Sequence, residues 1–294
     1  MSSASTRPDS LRAARWAGCS PASLLAAQGS SRVRVALLIL ASLLILPGFA
    51  PAQDTDYSRY VSPWKTPWDY QGPQGAEHWS ELDPDYAACN KGTQQSPIDI
   101  RNARKGDDLP AIRFEYISSP LKYVINNAHT IRVDYHDAPG TGNFLIVGDK
   151  RYQLTQFHFH RPSEEHVNGK QYEMVLHLMH TAADQEVAGV AVLLKRGHEN
   201  ATIQQIWDHM PPIEAQEEVV GAELNPAGML PHDTGYFLYT GSVTAPPCTE
   251  GVKWFVLKTP VEISTAQIQQ FAKLYPKNVR PLQPLNGRVV QESR

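Results

Sequence analysis

Apolar positions in this chain fall into many short runs separated by turn signals, and beyond Trp79 most of those runs read as strands. The candidates are 113–116, 123–126, 131–135, 144–147, 151–161, 173–181, 187–196, 236–242 and 252–257. Between them lie Ala138-Pro-Gly-Thr-Gly142, Gly148-Asp149, Asn168-Gly169 and Asn286-Gly287, compositions that favour turns. Helical periodicity is confined to 202–210 and 264–275. In the second, Ser264 can cap the first turn while Ile268, Phe271 and Ala272 supply an apolar face. The pattern predicts a mainly β domain. Within 151–161, strict alternation puts Gln156, His158 and His160 on one face and Phe157 and Phe159 on the other. In 173–181 the same period groups Val175, His177 and Met179.

The first 52 residues follow a different rule. Arg7, Arg12, Arg15, Arg32 and Arg34 accompany one acid, Asp9, ahead of the apolar run 35–46 and the small-residue stretch Ala50-Pro-Ala52. This predicts a secretory signal peptide over 1–52, hence export to a periplasm, the extracellular space or an organelle lumen. The run is shorter than the roughly 20 residues a bilayer-spanning helix needs, which disfavours a retained anchor. Its positive region is long for a signal, and either a later translation start or a preceding organelle-targeting stretch accommodates that. Residues 53–67 are polar, with Pro63 and Pro67, and read as a tether or surface arm. Residues 68–294 suit one domain with a sizeable core.

Charge excludes one class of partner. The whole chain carries a formal −3, and beyond residue 52 it has 22 basic against 29 acidic side chains, about −7. An acidic surface without a basic patch has no electrostatic footprint for nucleic acid.

The candidate chemistry lies in the histidines. Two imidazoles on one strand face and a third on a neighbouring strand can meet at one point, and three neutral imidazoles leave one tetrahedral zinc position open, as in catalytic sites. An H-x-H pair alone decides little, because such pairs are commonly structural or surface features.

The surrounding motifs carry further weight. Gln156-Phe-His-Phe-His160, Ser163-Glu-Glu-His166, Leu176-His177, Gly241-Ser-Val-Thr-Ala-Pro-Pro247, Gln95-Ser-Pro-Ile-Asp99 and Arg280-Pro-Leu-Gln-Pro-Leu-Asn286 fall in the order found in alpha-class carbonic anhydrases. From about Trp68 to Val290 the chain resembles that family. The resemblance implies a large twisted, mostly antiparallel central sheet, a few short peripheral helices and a metal at the base of a conical cleft. It implies zinc on His158, His160 and His177, supplying hydroxide that attacks carbon dioxide to give bicarbonate and a proton. Thr244, bonded to a buried Glu165, would orient the hydroxide, and Gln156 would fix the tautomer of the first histidine. His129 would relay the proton outward, with Tyr70 and Asn127 ordering water beside it. Val243, Met179, Gly189 and Trp254 would form the apolar wall for the gas. Sulfonamides and small anions would inhibit.

Cys19 leaves with the leader, so Cys89 and Cys248 remain. A pair in an exported protein is most simply a disulfide, and the resemblance implies one here; two unpaired buried thiols are the alternative. Several positions depart from the family pattern. Val175 stands where many members place a glutamate that holds the third imidazole, which predicts weak zinc retention. Gly189 replaces a larger aliphatic residue, and Arg132 and Ala245 replace polar or hydroxyl side chains. Two other readings stay open: a non-catalytic carbonic-anhydrase-like binding module, and a zinc hydrolase acting on esters.

Overall fold

The computed structural model describes residues 65–106 and 108–294, so the leader and most of the expected 53–67 arm lie outside the described residues. Thr66 is tied down: its hydroxyl donates to Asp83 (2.5 Å), and its carbonyl accepts from the Tyr86 hydroxyl (2.9 Å). No helix among the described residues is long and apolar enough to cross a membrane.

Most of the strands run together into one large sheet, beside two small ones. Along its main path the order is Ala215–Glu218, Tyr123–Asn126, Ile131–Asp134, Lys150–His160, Met174–Ala182, Val187–Arg196, Glu250–Leu257, Tyr236–Ser242, Gln291–Glu292 and Arg104–Lys105. Most pairings are antiparallel, but the sheet is mixed. Val187–Arg196 runs parallel to both Glu250–Leu257 and Val261–Ile263, and Gln291–Glu292 runs parallel to Arg104–Lys105. The unbroken burial of Val187–Leu194 fits a strand covered on both faces, as strands with parallel neighbours usually are.

Alternation divides these central strands between two cores. Phe157, Phe159, Leu176, Leu178, Val190, Val192 and Phe255 belong to one cluster, and Val175, Met179, Ala191, Leu193, Trp254 and Val256 to another. Each fully buried side chain of this size contributes about 1.5–3 kcal/mol of transfer free energy. The helices Ala201–Trp207 and Thr265–Ala272 cover the first cluster with Ile203, Ile206, Trp207, Ile268 and Phe271. Asn200 caps the former by accepting from the Ile203 amide, and Ser264 caps the latter in a reciprocal box with Gln267.

A third cluster joins Trp68, Tyr70, Trp79 and Tyr86 to the Cys89–Cys248 disulfide, which closes a separation of 159 residues. Cys248 is in the left-handed region (φ 59°), one residue past the Pro246–Pro247 cis bond. The bridge therefore pins the end of the segment that carries Thr244.

Candidate metal centre

Antiparallel register brings the histidines together. His177 pairs with His158 and Val175 with His160 on the adjacent strand, so three imidazoles share one patch of sheet. Their ring centroids are 4.9–5.4 Å apart, and one nitrogen from each lies within 4.8 Å of the others.

Hydrogen bonds decide which nitrogen is free. His158 Nδ1 donates to Gln156 Oε1 (2.8 Å), His160 Nδ1 to the Asn278 carbonyl (2.7 Å), and His177 Nε2 to the Glu165 carboxylate (3.0 and 3.1 Å). All three partners are acceptors, so the lone pairs left over are on His158 Nε2, His160 Nε2 and His177 Nδ1. His160 Nε2 and His177 Nδ1 are buried with no hydrogen-bond partner, as is Glu164 Oε2, 3.5 Å from the former and 3.9 Å from the latter. Orphaned buried acceptors are costly unless something electropositive satisfies them. Burial, together with the neighbouring imidazoles, holds His158 and His160 well below the ordinary histidine value, which keeps them neutral as ligands must be. Burial would lower His177 too, but the Glu165 and Glu164 carboxylates together outweigh it and raise the ring. The donor set fits zinc: nitrogen ligands, three in number, with a side left open to the cleft.

The cleft around the histidines is lined by polar side chains, Tyr70, Asn127, His129, Thr130, Arg132 and Gln156, by apolar ones, Met179, Val243, Ala245 and Trp254, and by Thr244. Thr244 lies beside the Glu164 carboxyl, whose Oε1 accepts from the Arg280 amide at 2.8 Å. Burial pushes that carboxyl up to about 7, against the lowering pull of His177.

This arrangement coincides with what comparison of the whole chain finds. The eukaryotic-type carbonic anhydrase family matches residues 74–294. The chain belongs to this family, the alpha carbonic anhydrases. Carbonic anhydrases of Nostoc sp. and Klebsiella pneumoniae are each 39% identical to it over 233 residues, spanning 77% and 79% of this chain and 86% and 93% of theirs. A solved alpha-carbonic anhydrase of Thermovibrio ammonificans, complexed with the inhibitor sulfanilamide, is 41% identical; the match covers 78% of this chain and all of that one, with a TM-score of 0.73.

Two residues of this carbonic anhydrase are not where the sequence reading put them. Glu165, expected against Thr244, bonds His177 instead, and Glu164 takes the place beside Thr244. Glu164 and Glu165 lie in a bend just ahead of the strand His166–Val167, and there the Glu-Glu doublet serves two partners. Gly189 does not line the cleft. A Cβ there would meet the Trp254 ring at 2.7 Å, so the missing side chain is the space in which the indole lies, and the indole forms the wall. Trp254 Nε1 donates to the Ser242 carbonyl (2.9 Å), and its ring lies 4.6 Å from that of His177.

Other expected residues do gather at the cleft. His129 is stacked on Trp68 (centroids 3.7 Å apart), with Nε2 2.8 Å from the Trp68 carbonyl and Nδ1 3.1 Å from the Asn127 carbonyl. Asn127 Oδ1 accepts from the His129 and Thr130 amides, which shapes the turn that presents His129. Arg132 forks onto Asp134 two residues on, at 2.9 and 3.0 Å.

Asn278 and Arg280 are supports that sequence reasoning passed over. The Arg280 guanidinium binds Gln95 Oε1 and the Ser96 and Cys89 carbonyls at 2.6–2.8 Å, while its amide holds Glu164. The Arg280-Pro-Leu-Gln motif was the available signal, but nothing in it specified a partner.

Proposed function

We propose that this carbonic anhydrase hydrates carbon dioxide reversibly at a zinc ion held by His158 Nε2, His160 Nε2 and His177 Nδ1. The observation that carries this reading is the set of lone pairs: tautomers fixed by three acceptors, two of the free nitrogens buried and orphaned, all facing one point. The three histidines would hold zinc, whose chemistry there would be to supply hydroxide from water near neutral pH. With the Glu164 carboxylate beside it to take its proton, the Thr244 hydroxyl would accept from the hydroxide supplied there, aim a lone pair at the substrate and select against anions without a proton. Met179, Val243 and Trp254 give carbon dioxide a dry resting place beside the nucleophile.

The proton leaves along the polar side chains of the cleft. His129, half-buried at the cleft, takes it from water ordered by Tyr70 and Asn127 and exchanges its carbonyl partner for solvent to release it. The Cys89–Cys248 bridge and the 1–52 leader support export to an oxidising compartment. Inhibition by sulfonamides follows the behaviour of the Thermovibrio relative.

Stopped-flow hydration assays on the oxidised protein, with zinc measured on the same sample, test this. Fast turnover at one zinc per chain that rises as pH passes through neutrality is the expected result. Zinc-loaded protein without turnover would overturn it in favour of a binding module.

A further inference from the structure

Glu165 is fully buried and places both carboxylate oxygens, at 3.0 and 3.1 Å, on the one ring nitrogen of His177 that faces away from the shared lone pairs. Its own strand offers His177 nothing comparable. Val175, two residues back and on the same face, is buried and purely apolar. We propose that Glu165 is the positioning residue that sets how tightly zinc is retained, and that control of the third ligand has passed from its own strand to the separate segment Ser163–Val167. The inference rests on the zinc site proposed above.

The segment is built to hold a carboxylate still. Ser163 Oγ donates to the Glu165 carbonyl (2.8 Å) and accepts from the Tyr172 amide (2.9 Å), and the Ser163 amide donates to the Tyr172 carbonyl (3.1 Å). Directly after Glu165, His166–Val167 pairs in parallel with Asp99–Ile100. Glu165 is thus clamped from both sides while the His177 ring sits on a different element. A carboxylate on Nε2 orients the ring and raises the basicity of Nδ1, and losing such a partner characteristically costs about 10–100-fold in metal affinity. The weak zinc retention expected from Val175 therefore does not follow: the acid has been relocated.

The relocation makes a reciprocal prediction that a merely structural Glu165 would not. Residues two apart on one strand face are separated by about 6.6 Å, so a glutamate at 175 can reach the same imidazole once Glu165 is gone. The experiment is the rate of zinc transfer from the holoprotein to excess dipicolinate, in wild type, Glu165→Ala, Glu165→Gln, Val175→Glu and the double variant Glu165→Ala/Val175→Glu. Thermal melts of each apoprotein run alongside.

Glu165→Ala should release zinc about 10–100-fold faster. Glu165→Gln should fall between it and wild type, because an amide oxygen still accepts but carries no charge. Val175→Glu alone should not slow release, since Nε2 is already taken, while the double variant should recover much of what Glu165→Ala loses. Ser163→Ala, which touches no ligand, should accelerate release more modestly. Release from Glu165→Ala within twofold of wild type, or no recovery in the double variant while both melt cooperatively, would overturn the proposal. If Glu165→Ala fails to fold, unchanged release from Glu165→Gln does so. Zinc kinetics as expected in a protein that does not hydrate carbon dioxide would sink the reaction and leave this inference standing.

Discussion

The strands Lys150–His160 and Met174–Ala182 present two faces that are equally hidden and differently constrained. On one, Phe157, Phe159, Leu176 and Leu178 have no measurable exposure, and their packing is a matter of volume. On the other, one residue away in each case, His160 and His177 are just as deep, but each ring nitrogen needs a partner along a particular direction. Depth therefore does not separate core from site here. What separates them is whether a neighbour can be replaced by another of the same size.

Adjacent residues give the sharpest way to break that contrast. Phe159→Ala should cost about 3–5 kcal/mol of unfolding free energy in denaturant titrations, yet the protein that remains folded should still take up one zinc. His158→Ala should do the reverse. Losing one ligand is worth about 3–4 kcal/mol of zinc affinity, on the order of 10²–10³-fold, read by competition with a chelator, with little change in the melt of the apoprotein. If both variants lose zinc and stability in parallel, the two faces are not independent.

Gly189→Ala probes the boundary between the faces. Its Cβ must displace the Trp254 indole, which overpacks the cleft wall at a cost of about 1–3 kcal/mol in stability. A fall in kcat/KM for carbon dioxide should accompany it, because the displaced ring is the wall; an unaltered kcat/KM would separate Trp254 from the substrate pocket.

His180 is the exception that refines the rule. Alternation puts this histidine on the apolar side with Leu176 and Leu178, where Nε2 accepts from the Tyr116 hydroxyl (2.6 Å) and Nδ1 faces the Ala188 carbonyl. Burial lowers it to about 3 from an ordinary value of 6.5. As pH falls through 6.5 the unfolded chain takes up this proton and the native state does not, so stability drops progressively toward pH 3; above 6.5 the group has no such effect. The loss attributable to His180 should reach roughly 2 kcal/mol by about pH 5. His180→Asn should flatten the acid limb of stability against pH by that amount, and an unchanged slope would place the acid sensitivity elsewhere.

Much of this was legible in the chain. The strands at 123–126, 144–147, 187–196 and 236–242 occupy the expected residues, because alternation and β-branched composition persist long enough to declare a period. Two-residue pairings such as Asp99–Ile100 with His166–Val167 are too short to have a period, and the parallel contact of Val187–Arg196 with Glu250–Leu257 depends on partners 65 residues away, as Ala188 is from Lys253. The site divides along the same line. Gln156, His158, His160 and His177 follow from alternation within two long strands. Which of two adjacent glutamates faces which partner depends on how a turn lands against the rest of the molecule, and local pattern is silent on that. His180 shows the converse hazard: it shares a residue type with the ligands, and only the strand period, which puts it three residues from His177 on the opposite face, tells it apart.

One consequence concerns the order in which the protein is made. His160 leans on the Asn278 carbonyl and Glu164 on the Arg280 amide, while the Arg280 side chain ties down Cys89, Gln95 and Ser96 from the opposite end of the domain. A chain emerging from the ribosome has all three imidazoles in hand long before these supports exist. A chain that stops short of Asn278 would therefore carry every imidazole and still lack the groups that aim them, and should hold zinc poorly.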